Sequence, residues 1–245
     1  MKRGEVVQTE QYELPLGGST PLMMAAHELK APLALVRQLA LSLEAGLVDQ
    51  AQQATLLRQI SLTSERALRL TTDLTRASRL EDSLFACEPL NPQQICEEVA
   101  HELTPLYKAK DREIRVASRY RPLLVVANRD LLRRVVVNFA DNALHYGTDD
   151  NPVELRASSQ KAGKSVRVGV RDYGPALPVQ LWQQLQRALY EQTFPLHNRP
   201  QSSGLGLYVA VQFAKAMRGN VGVTRHRDGA TFYVDIEAST QLQLL

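Results

Sequence analysis

Two apolar repeats at alternating steps of four and three constrain this chain more than any other feature. Leu22, Ala26, Leu29, Leu33, Val36, Ala40, Leu43 and Leu47 form one seam; Leu56, Ile60, Thr63, Ala67, Leu70, Leu74 and Ala77 form a second. A seam of that period marks a helix packed lengthwise against other helices. Thr20-Pro21 supplies a hydroxyl cap and a proline at the first helical position, Gly46 a stop, and Asp49 with Gln52 the capping-box spacing that opens the next helix. Two such helices joined by a short turn make an antiparallel hairpin. One hairpin offers too little surface to bury both seams, so a second copy is expected, giving a four-helix-bundle homodimer.

The first helix carries His27-Glu28-Leu29-Lys30-Ala31-Pro32. His27 falls one residue past a seam position and is expected beside the seam, towards water. An interior proline costs about 3 kcal/mol and leaves a carbonyl, here that of Glu28, without its helical partner. An imidazole and a carboxylate beside a helix defect fit a reaction centre; an inert surface histidine fits the same residues.

At 245 residues the chain has room for two small domains, each with a core. Its 29 basic residues against 26 acidic ones are too evenly balanced for a general nucleic-acid binder. Cys87 and Cys96 have no metal-like partners nearby and read as buried or half-buried free thiols in a reducing compartment. No apolar run approaches a membrane span and no signal-peptide pattern opens the chain, so a soluble, cytoplasmic protein without a membrane segment is expected. The expected organisation is a flexible leader at 1–19, the helical hairpin at 20–86 and a second domain at 87–245.

That second domain mixes periods. Helical patterns run over Pro92–Lys108, Asp130–Tyr146, Val179–Tyr190 and Leu207–Met217. Between them lie short strand-like runs at Glu113–Ser118, Leu123–Ala127, Val153–Ser158, Ser165–Arg171, Asn220–Arg225 and Ala230–Ile236. The pattern predicts an α+β sandwich, one mixed sheet with helices on one face.

Three motifs in this domain carry chemistry. On the helix at Asp130–Tyr146 an apolar stripe of Leu132, Val136, Phe139 and Ala143 is flanked by Asn138, Asn142 and His145 at steps of four and three. Side-chain amides on such a line can face a divalent cation or a phosphate-bound water, or form an ordinary polar shoulder. Gly147 fits a helix stop. Asp172-Tyr173-Gly174 ends a strand, where a carboxylate can accept from an adenine amino group or simply close a turn. Gly204-Leu205-Gly206-Leu207 enters a helix, where backbone amides and the helix dipole suit phosphates; no Walker Gly-Lys-Ser/Thr follows.

Taken in order, these motifs resemble those of the sensor histidine kinases of two-component systems, over roughly residues 20–240. The residues from His27 to Pro32 match the H-box, Asn138 to Tyr146 the N-box, Asp172-Tyr173-Gly174 the G1 box and Gly204-Leu205-Gly206-Leu207 the G2 box, with Phe194 in the intervening lid as an F-box residue. The resemblance implies a dimerisation and phosphoacceptor hairpin followed by a Bergerat-type ATP-binding domain. It implies His27 as phosphoacceptor and Glu28 as the adjacent general base. It places Mg²⁺ on Asn142, with Asn138 helping to position it, and phosphate contacts at His145, Tyr146 and, in the lid, Arg199. Adenine selection falls to Asp172 with Gly174, and the phosphate loop to Gly204, Leu205, Gly206 and Leu207. ATP and Mg²⁺ are the implied cofactors, and a response-regulator receiver domain the implied partner.

The chain departs from the family pattern in three places. Ala176 stands where the G1 box usually has a second glycine, and would be strained if that position needs a positive φ. The lid is short and rich in Gln, Leu and Pro. Ala31 replaces the threonine or asparagine common in members that dephosphorylate their regulator. A catalytically impaired dimeric scaffold, or a Bergerat ATPase acting on serine or threonine, are the other functions open at this point.

Overall fold

A computed structural model of the chain describes residues 21–46, 49–78, 85–117, 122–147, 151–160, 163–191 and 205–240. The leader and the lid residues Phe194, Arg199 and Gly204 lie outside that set.

Helices α1 (Pro21–Glu44) and α2 (Gln50–Ser78) pack antiparallel. Helix α1 continues through Pro32, and Gly46 closes it at φ +68°, a left-handed turn that suits glycine. The capping box forms as its spacing predicts: Gln52 N–H donates to Asp49 Oδ1 at 2.8 Å, and Asp49 N–H donates to Gln52 Oε1 at 3.2 Å. All seven α2 seam residues are buried or half-buried, Ala67 most fully. The α1 seam differs from expectation. Within one chain the covered stripe is Leu29, Pro32, Val36, Leu39 and Leu43, while Ala26, Leu33 and Ala40 of the expected seam are exposed, as are Leu35 and Leu41.

The second unit adds β1 (Glu88–Leu90), α3 (Pro92–Lys108), β2 (Ile114–Val116), β3 (Val125–Ala127), α4 (Arg129–Tyr146), β4 (Val153–Gln160), β5 (Ser165–Asp172), α5 (Val179–Glu191), α6 (Leu205–Ala216), β6 (Asn220–His226) and β7 (Gly229–Glu237). Asn91 caps α3 by accepting from Gln93 N–H at 3.0 Å with Pro92 following, and Asn128 caps α4 by accepting from Leu131 N–H at 3.1 Å.

The main sheet runs β2-β4-β5-β7-β6, with β2 and β4 parallel and the other pairs antiparallel. This is the expected mixed sheet with one correction. β3 leaves it to pair antiparallel with β1, a strand the sequence reading missed. Alternation does the rest. Val166, Val168 and Val170 of β5 and Val234 and Ile236 of β7 point into one core with Leu132, Val136, Phe139 and Phe213 of α4 and α6. The opposite face is polar and ordered: Arg167 makes two 2.8 Å bonds to Asp235 and lies 3.4 Å over the Tyr233 ring.

Of the two cysteines, Cys96 is buried in this core, and burial pushes its thiol up to about 12. Cys87 is exposed, contrary to expectation, because it precedes the edge strand β1. Among the described residues no helix is long and apolar enough to cross a membrane.

Candidate nucleotide site

Strand parity positions the acidic residue. Asp172 follows Val166, Val168 and Val170 at steps of two, so it ends β5 on the helix-covered face, and it is only 6% exposed. Its Oδ1 accepts from Gly174 N–H and from Ala230 N–H, both at 3.2 Å. Two fixed donors on one oxygen hold the carboxylate in one orientation. Gly229, at φ +125°, makes the close approach possible: a Cβ there would fall 2.3 Å from the Asp172 carbonyl oxygen. Ala176 is not among the described residues with positive φ, which outside glycine are Asp111 and Arg218. The strain that alanine would have met at that position is absent.

Helix α4 supplies the amides. Asn138 is 5% exposed, its Nδ2 buried without a hydrogen-bond partner, and Asn142 lies half-buried one turn on. Gly206, at the N-terminus of α6, lies against Asn138: a Cβ there would sit 3.4 Å from Asn138 Oδ1. An orphaned buried amide costs about 1–3 kcal/mol, which a polar ligand can relieve. The donor set fits a nucleotide with Mg²⁺: oxygens for a hard cation, backbone amides at a helix N-terminus for phosphate, and an oriented carboxylate for a base. Leu205 and Leu207 are buried, Leu205 against Leu74 and Tyr208, so their side chains serve packing. His145 and Tyr146 fall in the last turn of α4, and His27 and Glu28 in α1; their side chains are outside the described part of the structure.

How the hairpin meets these helices is a long-range feature without a local mark in the sequence. α2 packs against the start of α6, where Leu74 meets Leu205 and Tyr208, and its charged side chains reach across to α4. Half-buried Arg134 forms an ion pair with buried Asp73, and Arg76 approaches Asp130 at 3.8 Å. Further along, burial raises the Asp141 carboxyl above the usual range while Arg66 and Arg69 of α2 oppose the shift. Leu74 and Ala77 add apolar contact with the core. The helix that holds Asn138 and Asn142 is thus tied by ion pairs to the hairpin, which packs on α6.

The fold and this donor set suit a nucleotide-binding domain. Residues 127–240 match the family described as histidine kinase-, DNA gyrase B-, and HSP90-like ATPase. Beyond that domain the chain is similar to histidine kinases, so the resemblance read from its motifs holds. It is 29% identical over 227 residues to the adaptive-response sensory kinase SasA of Synechocystis, covering 86% of this chain and 57% of that protein. The fold matches full-length ShkA, solved in complex with AMPPNP, at TM-score 0.59 and 23% identity, over 90% of this chain and 47% of ShkA. It also matches histidine kinase ThkA in its complex with the response regulator protein TrrA, at TM-score 0.58 and 19% identity, over 87% of this chain and 60% of that one. The chain spans little more than half the length of relatives such as SasA.

Proposed function

We propose that this chain is an ATP-dependent protein histidine kinase that phosphorylates its own His27 and passes the phosphoryl group to a response-regulator aspartate. The observation that carries the reading is the contact of α2, from the hairpin that bears His27, with both helices of the candidate site: it packs on the start of α6 and forms ion pairs with α4, which bears Asn138 and Asn142. A nucleotide site and a histidine-bearing hairpin in contact within one chain suit transfer to histidine rather than ATP hydrolysis alone.

In this reading Asp172 accepts from the adenine amino group, Asn142 gives its side-chain oxygen to Mg²⁺, and Asn138 beside it orders the phosphates against the Gly206 backbone. The metal, when bound, neutralises charge developing on the phosphates. Glu28 keeps the His27 imidazole nucleophilic, and in-line transfer then needs little beyond positioning. Gly174, Leu205 and Leu207 shape the pocket, and His145, Tyr146, Arg199 and Gly204 contact phosphate. Leu33, Leu41, Leu57 and Leu68, all at least half exposed, give a second copy an apolar surface to cover, which supports a four-helix dimer of the 20–86 unit.

Incubation with γ-labelled ATP and Mg²⁺, followed by a chase with a purified receiver domain, tests the proposal. Label should appear on the chain and then move to the regulator; a chain that takes no label is a scaffold.

Two substitutions refine it. Asp172→Asn keeps an oxygen for Gly174 and Ala230 but converts the other acceptor to a donor. Discrimination of ATP from GTP should fall by about 1–3 kcal/mol, read from competition binding. Ala31, exposed and one turn beyond His27 in α1, has neither donor nor acceptor to orient a water at the regulator's aspartyl-phosphate. Decay of phosphorylated regulator should therefore be little accelerated by the parent protein with ADP, and accelerated by Ala31→Thr. Rapid decay with the parent would contradict this role for position 31.

A further inference from the structure

The C-terminal end of α4 has an electrostatic problem. In the function proposed above, on which this inference rests, its last turns face the phosphates. Yet a helix C-terminus carries roughly half a negative charge, the wrong sign for a polyanion. Two side chains from the segment that closes α3 are folded over those carbonyls. Tyr107, fully buried, donates its hydroxyl to Ala140 O at 2.8 Å. Arg112, 8% exposed, donates Nη1 to Ala143 O at 3.0 Å and to Leu144 O at 2.9 Å. These three carbonyls bracket Asn142.

The backbone is arranged to deliver the guanidinium. Asp111 takes a left-handed φ of +52°, and Arg112 N–H returns to Tyr107 O at 3.0 Å, turning the chain back onto α4. Gly147 makes room. It caps α4 at φ −70° and ψ 160°, so the helix stop expected from its sequence does not use the left-handed freedom of glycine. What its missing side chain provides is space: a Cβ there would lie 1.9 Å from Arg112 Nη2. Other cations gather at this end. Burial, with Arg66 and Arg112 nearby, lowers the Lys110 pKa. Burial raises the Tyr107 phenol, with Asp141 and Asp172 adding to the shift and Arg112 opposing it, so the hydroxyl stays a donor.

We propose that Arg112 is a positioning residue for nucleotide phosphates: its guanidinium offsets the negative end of α4 and fixes the turn that carries Asn142. It acts through the helix and touches neither metal nor base. The prediction is therefore selective for charge on the ligand. Arg112→Gln should weaken binding of AMPPNP with Mg²⁺ about tenfold and leave adenosine binding unchanged, and the AMPPNP loss should shrink as salt is raised. Arg112→Lys, which keeps the charge, should recover most of the AMPPNP affinity. A purely structural cap would weaken both ligands together, and that outcome, or no change in either, overturns the role. If Arg112→Gln loses its thermal unfolding transition, Gly147→Ala makes the same test with Arg112 present, since its methyl displaces Nη2; it should show the same selective loss, and equal losses or none would again overturn the role. A parent protein that binds neither ligand overturns the nucleotide reading and the role of Arg112 with it, whereas a parent that binds both alongside an unaltered Arg112→Gln overturns only the latter.

Discussion

His27→Ala should take up no label from γ-labelled ATP while remaining folded, helical and able to bind AMPPNP. The loss is expected to be complete because neither of the two other histidines whose side chains are described is placed to substitute. His226 lies on the polar face of the sheet, away from α4, with Nε2 2.8 Å from Thr231 Oγ1. His101 is exposed on α3, in an open groove with Glu97, Glu98 and Glu102. Stability should change little, since alanine is the strongest helix former at a position within α1. The check is autoradiography of equal amounts of parent and variant, with dimerisation followed by light scattering. Label retained on His101 or His226 would show that the H-box assignment is wrong.

The second large effect is expected at the asparagine line, where nucleotide binding should weaken without loss of stability. Asn142→Ala removes an oxygen assigned to the metal. A hydrogen bond or ligand to a charged group is worth about 1.5–3 kcal/mol, so Mg²⁺-dependent AMPPNP affinity should fall by one to two orders of magnitude. Its melting temperature should barely move, because Asn142 is half-buried beside the stripe of Leu132, Val136, Phe139 and Ala143 and not within it. Asn138 differs. Its Nδ2 is buried without a partner in the ligand-free chain, so Asn138→Ala relieves an unsatisfied donor and should leave the apo protein as stable as the parent or more so. Nucleotide should then stabilise that variant less than it stabilises the parent. Differential scanning fluorimetry with and without AMPPNP and Mg²⁺ reads both. If both variants gain as much from ligand as the parent does, the pocket lies elsewhere.

Local signals in the sequence carried most of the fold. Helix α3 was expected over Pro92–Lys108 and occurs there, because Asn91 and Pro92 mark its start and its apolar period is strong. The capping box at Asp49 and Gln52 was equally readable. The α1 seam was not, and the reason is geometric. The helix has apolar residues on two stripes, and period alone cannot tell which one α2 covers. Strand β1 was missed because Glu88–Leu90 is three residues long and contains Pro89, which only an edge strand tolerates. β3 was expected in the main sheet, and its pairing with β1 is a long-range choice without a local mark.

The same division runs through the site. Asp172, Asn138 and Gly206 stood out as residue types at telling places, and the fold puts Gly206 on Asn138 and Asp172 on the covered face. The Asp73–Arg134 pair, the Tyr107 bond to Ala140 and the Arg112 cap join residues 31 to 61 apart in sequence, and nothing in either segment announces its partner. The glycine at 147 was legible as a helix stop; its purpose, room for a guanidinium, was not.

The measurement that goes most directly to the central claim is the chemistry of the bond to the label. Parent protein labelled from γ-labelled ATP is divided, one portion held in acid and the other in alkali, and the retained label is counted. Phosphate on the nitrogen of His27 should be lost in acid and survive in alkali. Label that survives acid and is lost in alkali would be phosphoserine or phosphothreonine and would contradict the account.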